Sequence, residues 1–333
     1  MANLYLTEQN SVLRKTGNRL IVQKEEKTLL EVQCHKIDAV LIFGNVQFTT
    51  QAVNELFAHS IELAIFSRNG RLKGQLTSPA TKNIILRLYQ FRKYDDEDFR
   101  LAISKKFVTG KISNCLTLMR LFSYNHPEIH LKAENHDLKA AIETVGTADR
   151  LDRLLGLEGS AAKTYFNAFS KMVLGDFSFT GRNKRPPTDP VNAMLSLSYT
   201  MLFNEISSLL DGLGFDPYLG YFHGIDYGRA SLAADLMEEF RAPLADRLVL
   251  TFVNNRIFKP DDFYANPQNN GVVFKQDALK RYFREYETMI NHVFVHPETG
   301  QNTTLRKSIR IQAENMAATV QDNRPYDPFL LKV

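Results

Sequence analysis

Hydrophobic positions recur in two rhythms along this chain, and the change falls near residue 79. Before it, short alternating or apolar runs at residues 4–6, 19–23, 28–32, 39–43, 62–66 and 71–76 are separated by turn formers such as Thr16-Gly17-Asn18 and Asn69-Gly70. Such runs read as strands, and the last turn signal as a hairpin. One segment, 49–59, breaks the pattern with Val53, Leu56 and Phe57 at helical spacing behind a Thr-Thr cap. From Ala80 onward the period is helical: Ile84, Leu88 and Phe91, then Phe99, Ile103 and Phe107, then Leu116, Met119 and Phe122. The pattern predicts an α+β chain, with a small N-terminal β-rich sheet or sandwich domain over residues 1–79 and a larger all-α domain over 80–333. No Gly/Ser- or Pro-rich tract intervenes at Ser78-Pro79, so the junction reads as a short hinge.

Residues 175–190 (GDFSFTGRNKRPPTDP) and 259–270 (KPDDFYANPQNN) are rich in turn formers and predict surface loops. The tail after Gln321, with two prolines and no period, predicts an extended or mobile end.

Composition narrows the class. Hydrophobic residues make up 44% of the 333 and charged residues 23%, as in soluble globular proteins rather than disordered chains. No run of about 18 apolar residues could span a bilayer, and the first fifteen residues lack the apolar core of a signal peptide. A cytoplasmic protein is therefore expected, without a membrane partner. Cys34 and Cys115 are the two cysteines, far apart and outside any C-x-x-C spacing, which indicates neither a disulfide framework nor a cysteine zinc site. A net charge of +4 permits nucleic-acid binding without requiring it.

Candidate chemistry gathers in 218–241, YLGYFHGIDYGRASLAADLMEEFR. Gly220, Gly224 and Gly228 let the backbone around His223 turn tightly or approach another group closely. A helix capped by Ser231 should follow, with Leu232, Leu236 and Phe240 on its apolar stripe, and Asp235 and Glu238 three apart beside it. Acidic residues so placed are often only a solvated face. A further carboxylate changes the weighing.

That carboxylate is Glu158. In the helix expected over 148–174, Leu151, Leu154, Leu155, Ala161, Ala162, Tyr165, Phe169 and Met172 trace an apolar stripe, and Glu158 stands four after Leu154 and four before Ala162. Burying an ionised carboxylate costs several kcal/mol unless a cation meets it. Gly156, Gly159, Ser160 and Ala161 keep its surroundings small, as for a close approach by a segment or ligand. A tight helix crossing with Glu158 paired to an arginine satisfies that pattern. So does a metal site joining Glu158, His223 and Glu238, whose two carboxylates and one imidazole suit Mg²⁺ or Mn²⁺. Helical geometry alone favours neither Asp235 nor Glu238 as the third ligand. Lys163, one turn after Glu158, Arg229 behind His223, and the loop cations Arg182, Lys184 and Arg185 are candidate DNA-phosphate contacts.

LLGLEGSAAKTYF (154–166), FTGRNKRPPTDPVNAMLSLSYTMLFNEI (179–206) and LDGLGFDPYLGYFHGIDYGRASLAADLMEEFRAPLADRLV (210–249) together resemble the universal CRISPR-associated adaptation endonuclease family, the spacer integrase subunit. The β-rich start and helical remainder extend the resemblance to essentially the whole chain. It implies a metal triad at Glu158, His223 and Glu238, with Asp235 a second acidic position supporting the site. It also implies a homodimer formed through the N-terminal domain, a small ferredoxin-like adaptation partner, and protospacer and CRISPR-repeat DNA as substrates. The expected reaction is metal-assisted phosphoryl transfer, in which a 3′-hydroxyl attacks a repeat phosphodiester and no nucleotide cofactor is consumed. A branched-DNA repair nuclease would use the same site. A non-catalytic DNA-binding scaffold fits less well, since phosphate binding alone would favour Arg or Lys at position 158.

Overall fold

A computed structural model describes residues 2–68, 70, 72–77, 83–183, 186–267, 270–296 and 300–332. Two compact units emerge, Met1–Ala80 with Val273–Glu287, and Thr81–Val272 with Thr288–Val333.

The first unit holds strands β1 (Ala2–Leu6), β2 (Val12–Thr16), β3 (Arg19–Lys24), β4 (Lys27–Gln33), β5 (Ile37–Phe43), β6 (Gln47–Phe48), β7 (Glu62–Phe66) and β8 (Leu72–Leu76), with helix α1 (Thr50–Ala58). They form two four-stranded sheets, ordered β4-β3-β2-β6 and β1-β5-β7-β8. In the second, β1, β5 and β7 run parallel and β8 closes antiparallel. The hairpin expected around Asn69-Gly70 is that β7–β8 pair; Gly70 takes φ +81°, while Asn69 and Arg71 lie outside the described residues. Thr49 caps α1 by accepting from the Ala52 amide at 3.3 Å. Leu13, Leu20, Val40, Leu56 and Leu63, each without exposed surface, belong to one core cluster.

Residues 273–287, read in the sequence as part of the helical domain, group with the β-rich unit. The reason is aromatic: in helix α9 (Gln276–Ile290) Phe283 stacks on Tyr5 at 4.6 Å and lies 4.5 Å from Phe43. Tyr5 Oη also donates to Glu287 at 2.7 Å.

The second unit is mostly helical, in line with the α+β reading. Its helices begin with α2 (Ile84–Asp95), α3 (Glu97–Asn125), α4 (Lys132–Gly146), α5 (Leu151–Met172) and α6 (Pro190–Leu213). Two rules of helix ends are visible in α6. Pro190 occupies the first turn behind an Asp189 cap that accepts from the Asn192 amide at 2.8 Å, and Gly214 ends the helix at φ +107°.

The acidic stretch departs from expectation. Helix α7 covers only Ser231–Met237; Glu238–Phe240 form a turn, Arg241–Asp246 are π-helical, and α8 runs Arg247–Asn254. Pro243 lacks the N–H that would reach the Glu239 carbonyl four residues back. Asn114 of α3 supplies that bond instead, its Nδ2 lying 2.7 Å from Glu239 O. Ser231 is not the cap: Ala230 holds that position, and Ser231 Oγ donates to Gly224 O at 2.9 Å. Every residue from 230 to 240 is buried, so the solvated-face reading of these acids fails.

Short strands β9 (Phe263–Ala265), β10 (Val272–Phe274), β11 (Val293–Val295) and β12 (Asn302–Thr304) precede helix α10 (Leu305–Asp322), and β11 pairs antiparallel with β12. Of the two forms expected for the tail, extended or mobile, it takes the first: it runs without helix or strand and is pinned down. Tyr326 and Phe329 are buried, Phe329 stacks on Phe240 at 5.0 Å, and Tyr326 Oη donates to Glu239 at 2.5 Å. Gly110 makes room for it, since a Cβ there would stand 2.6 Å from Pro328.

Candidate active site

The turn at 220–223 is built on one buried carboxylate. Asp235 Oδ2 accepts from the backbone amides of Tyr221 at 2.6 Å and Phe222 at 3.0 Å, and Oδ1 from that of His223 at 2.9 Å. The same Oδ1 lies 2.7 Å from His223 Nδ1. An ionised carboxylate can only accept, which assigns the ring proton to Nδ1 and leaves the Nε2 lone pair outward. Nε2 stands 3.9 Å from Glu238 Oε1. Gly220 is what lets the turn sit so close, because a Cβ there would meet Asp235 Oδ2 at 2.8 Å and the Ser231 carbonyl carbon at 2.6 Å. Gly228 takes φ +75°; Gly224 has neither constraint.

Glu158 does meet a cation, Lys111 of α3, in a direct ion pair and hydrogen bond. The Lys111 ammonium also lies 2.7 Å from Glu238 Oε2, and Arg241 Nε lies 3.0 Å from that same oxygen. These are ion-pair distances without hydrogen-bond angles: Glu238 Oε2 is buried and lacks a well-aligned donor. Burial by itself would raise the Glu238 carboxyl, but the charges of Arg241 and Lys111 outweigh it and hold the group well below the usual carboxylate range. Glu238 is therefore a buried anion at neutral pH. Gly156 and Gly159 face open space rather than a crossing helix, correcting the close approach expected at Glu158.

A polar layer lies behind these groups. Asp246 accepts from Tyr165 Oη at 2.8 Å and Tyr199 Oη at 2.5 Å, and Arg241 lies over the Tyr199 ring at 4.9 Å. Burial raises the Asp246 carboxyl to about 6 against the two tyrosine hydrogen bonds. A cavity is lined by Lys111, Glu158, Tyr165, Tyr199, Arg241 and Asp246.

The expected phosphate contacts separate into three groups. Lys163 and Arg229 are exposed. Arg182 is instead tied down, donating to Asn192 Oδ1 at 2.8 Å and Ser196 Oγ at 3.0 Å, 5.3 Å over the Tyr199 ring. Its stacking on the polar layer gives it a structural job in place of the free surface charge expected. Lys184 and Arg185 lie outside the described residues.

Lys111, Arg241 and Asp246 were missed in the sequence. Lys111 had a signal, for it continues Ile103 and Phe107 at spacings of four and precedes Cys115 by four, placing a cation on an apolar stripe as Glu158 places an anion.

A divalent ion fits the donor set: an orphaned, buried Glu238 oxygen, a second carboxylate at Glu158 and an imidazole nitrogen fixed in tautomer by a carboxylate behind it. Among the described residues, the set whose donor atoms all lie within 4.8 Å of one another is a different one, Cys34, Glu55 and His59 of the first unit. There Lys15 already pairs with Glu55 at 2.5 Å, and burial raises the Cys34 thiol. The Glu158, His223 and Glu238 set stands wider, with the Lys111 ammonium between its two carboxylates.

Comparison with known proteins places the chain in a family. The model of the family described as CRISPR associated protein Cas1 matches residues 4–288. The chain is 33% identical over 333 residues to CRISPR-associated endonuclease Cas1 3 of Thermus thermophilus, covering 99% of this chain and 97% of that one. It is 31% identical to CRISPR-associated endonuclease Cas1 1 of Chlorobaculum tepidum, covering 98% and 97%. Among solved structures, a casposase bound to integration product superposes with a TM-score of 0.88 at 23% identity over 99% of this chain and 93% of that one, a likeness of fold. A chain of a Cas6-RT-Cas1–Cas2 complex gives 0.83 at 27% identity, over 99% of this chain and 36% of that one. The protein belongs to the CRISPR-associated Cas1 family.

Proposed function

We propose that this chain is a metal-dependent DNA endonuclease and strand-transfer integrase of CRISPR adaptation, holding Mg²⁺ or Mn²⁺ at Glu158, His223 and Glu238. The observation that carries the metal reading is the clamp on His223: Asp235 keeps the proton on Nδ1, so Nε2 faces the buried Glu238 carboxylate as a free lone pair. The family supplies the substrate class, since both curated relatives are named endonucleases.

The chemistry the ion supplies is polarisation of a non-bridging phosphate oxygen and stabilisation of the leaving 3′ oxygen. The chain's own residues do the rest. Asp235 orients the imidazole, Lys111 and Arg241 balance the Glu158 and Glu238 carboxylates, and the exposed Arg229 and Lys163 are available to the DNA backbone. A 3′-hydroxyl attacking in line exchanges one phosphodiester for another, so nucleotide hydrolysis is unnecessary. With water as the nucleophile, the same groups cleave.

The proposed partners are protospacer and CRISPR-repeat DNA, a second copy of this chain through the β-rich unit, and a small ferredoxin-like protein. A solved complex whose description names Cas1 and Cas2 together supports the last. No described helix is long and apolar enough to cross a membrane, and the cytoplasm is the proposed compartment.

A strand-transfer assay tests the reading, using short duplexes with free 3′-hydroxyls, a labelled CRISPR repeat and the partner protein. Joined strands that require Mg²⁺ or Mn²⁺ and vanish in Glu158→Ala and Glu238→Gln, with DNA binding retained, are expected. Free ends alone would mean a hydrolytic nuclease. Full joining in EDTA, or by either variant, would remove the metal site.

A further inference from the structure

We propose that Lys111 is a counter-ion shared by Glu158 and Glu238. Its ammonium fills the gap between Glu158 and Glu238, must give way when a divalent cation enters, and thereby sets the protein's metal affinity. This rests on the metal reading of Glu158, His223 and Glu238.

Lys111 lies on the inward stripe of α3 with its side chain 13% exposed. An ammonium in such a place is costly unless anions surround it. Its partners here are the two carboxylates assigned to the ion, one in direct contact and one at 2.7 Å. Two carboxylates facing each other repel, and the lysine between them lets the chain keep them together.

A divalent cation cannot share that gap with it. Like charges within a few ångströms repel most strongly where water is scarce, and both Lys111 and Arg241 already crowd Glu238 Oε2. Arg241 is held over the Tyr199 ring in the π-helical segment. Lys111 carries its charge on a flexible four-carbon stem, and the Glu158 helix beside it is open at Gly156 and Gly159. It is the lysine that moves. The Glu238 oxygen left without an aligned donor has the same origin: Lys111 compensates its charge but does not satisfy its hydrogen-bonding direction.

The experiment is calorimetric titration of the full chain with MnCl₂, alongside thermal melts in EDTA and in Mn²⁺. The proteins are wild type, Lys111→Gln, Lys111→Met, Lys111→Arg and Glu238→Gln. The Gln and Met variants should bind Mn²⁺ at least about tenfold more tightly. They should melt lower than wild type in EDTA and recover in Mn²⁺. A variant that folds only with Mn²⁺ supports the proposal equally. Lys111→Arg, whose planar fork grips two carboxylates without letting go, should bind Mn²⁺ more weakly than wild type. Unchanged or weaker affinity in folded Gln and Met variants overturns the role of Lys111, as does tighter binding in Lys111→Arg if the neutral variants do not fold. The two failures are distinguishable: if Glu238→Gln keeps wild-type affinity, the metal reading itself falls, whereas loss in Glu238→Gln with no change in the lysine variants removes only Lys111.

Discussion

His223 and Asp235, twelve residues apart, are joined at 2.7 Å from Nδ1 to Oδ1, and the carboxylate that holds the ring also holds the backbone beneath it. The loop and its imidazole are thus fixed by a single buried anion, which accepts from the amides of Tyr221, Phe222 and His223.

Asp235→Asn should loosen this turn. The new amide group points donors at donors, leaving buried N–H groups unpaired at a cost of about 2–4 kcal/mol. Amide exchange at Tyr221, Phe222 and His223 should accelerate sharply, with a lower melting temperature. Glu238→Gln should leave those three amides protected. Equal protection in the two variants would show that Asp235 does not organise the turn.

Gly220→Ala should act on the same assembly from the opposite side. Its Cβ would fall 2.6 Å from the Ser231 carbonyl carbon, a backbone atom that cannot step aside without moving α7. Strand joining should fall by at least about tenfold with a loss of stability. Gly224→Ala, where nothing lies within 4 Å, should retain both. Similar kinetics and melts for the pair would contradict the close-approach argument.

Asn114 and Pro243 should show a compensating pair. Asn114→Ala leaves the Glu239 and Phe329 carbonyls and the Leu331 amide without their side-chain partner. A loss of about 2–4 kcal/mol is expected from buried unpaired groups. Adding Pro243→Ala restores an N–H four residues after Glu239, so the double variant should be more stable than Asn114→Ala alone. Urea unfolding of the four proteins measures the coupling.

Asp246 should give the stability curve a slope of unusual sign. Its folded carboxyl keeps a proton up to about 6, burial being the cause, while the unfolded one loses it near its ordinary value of about 3.9. Between those limits the folded state binds more protons than the unfolded state. Stability from this group therefore falls as pH rises through about 4 to 6 and is level above, a change of about 2–3 kcal/mol. Asp246→Asn should remove that component, which is read by comparing urea unfolding of the two proteins at pH 4.5, 5.5 and 7. Parallel curves would mean that the carboxyl is not raised.

Arg182, read from the sequence as a DNA contact, should behave as a packing residue. Because its guanidinium is spent on Asn192, Ser196 and the Tyr199 face, Arg182→Ala should lower stability by about 1–3 kcal/mol. The salt dependence of DNA binding should hardly change, whereas a lost phosphate contact would reduce the slope by about one unit.

The sequence by itself placed Phe107, Met119 and Tyr165 inward, because periodicity is a local property of a helix or strand, whereas Ile84, Leu88 and Phe91 keep the same spacing and stay exposed. It marked the division between β-rich and helical parts, placed Glu158 on an apolar stripe and required a cation for it. The motif strings pointed to the family. Only the tertiary structure decided that the cation is Lys111, 47 residues away on α3, because a stripe shows which face is buried and not which face lies opposite. The same limit explains the acids of 231–241. A regular helix leaves Asp235 and Glu238 as equivalent neighbours, but the proline at 243 and the folded-back turn at 220–223 give them separate partners, so that Asp235 is consumed by four donors while Glu238 keeps an oxygen without an aligned one. The tail shows it once more: two prolines and no period describe a segment with no preference of its own, and its order comes from Glu239, Asn114 and Gly110, side chains and a gap that exist only once the helices have packed.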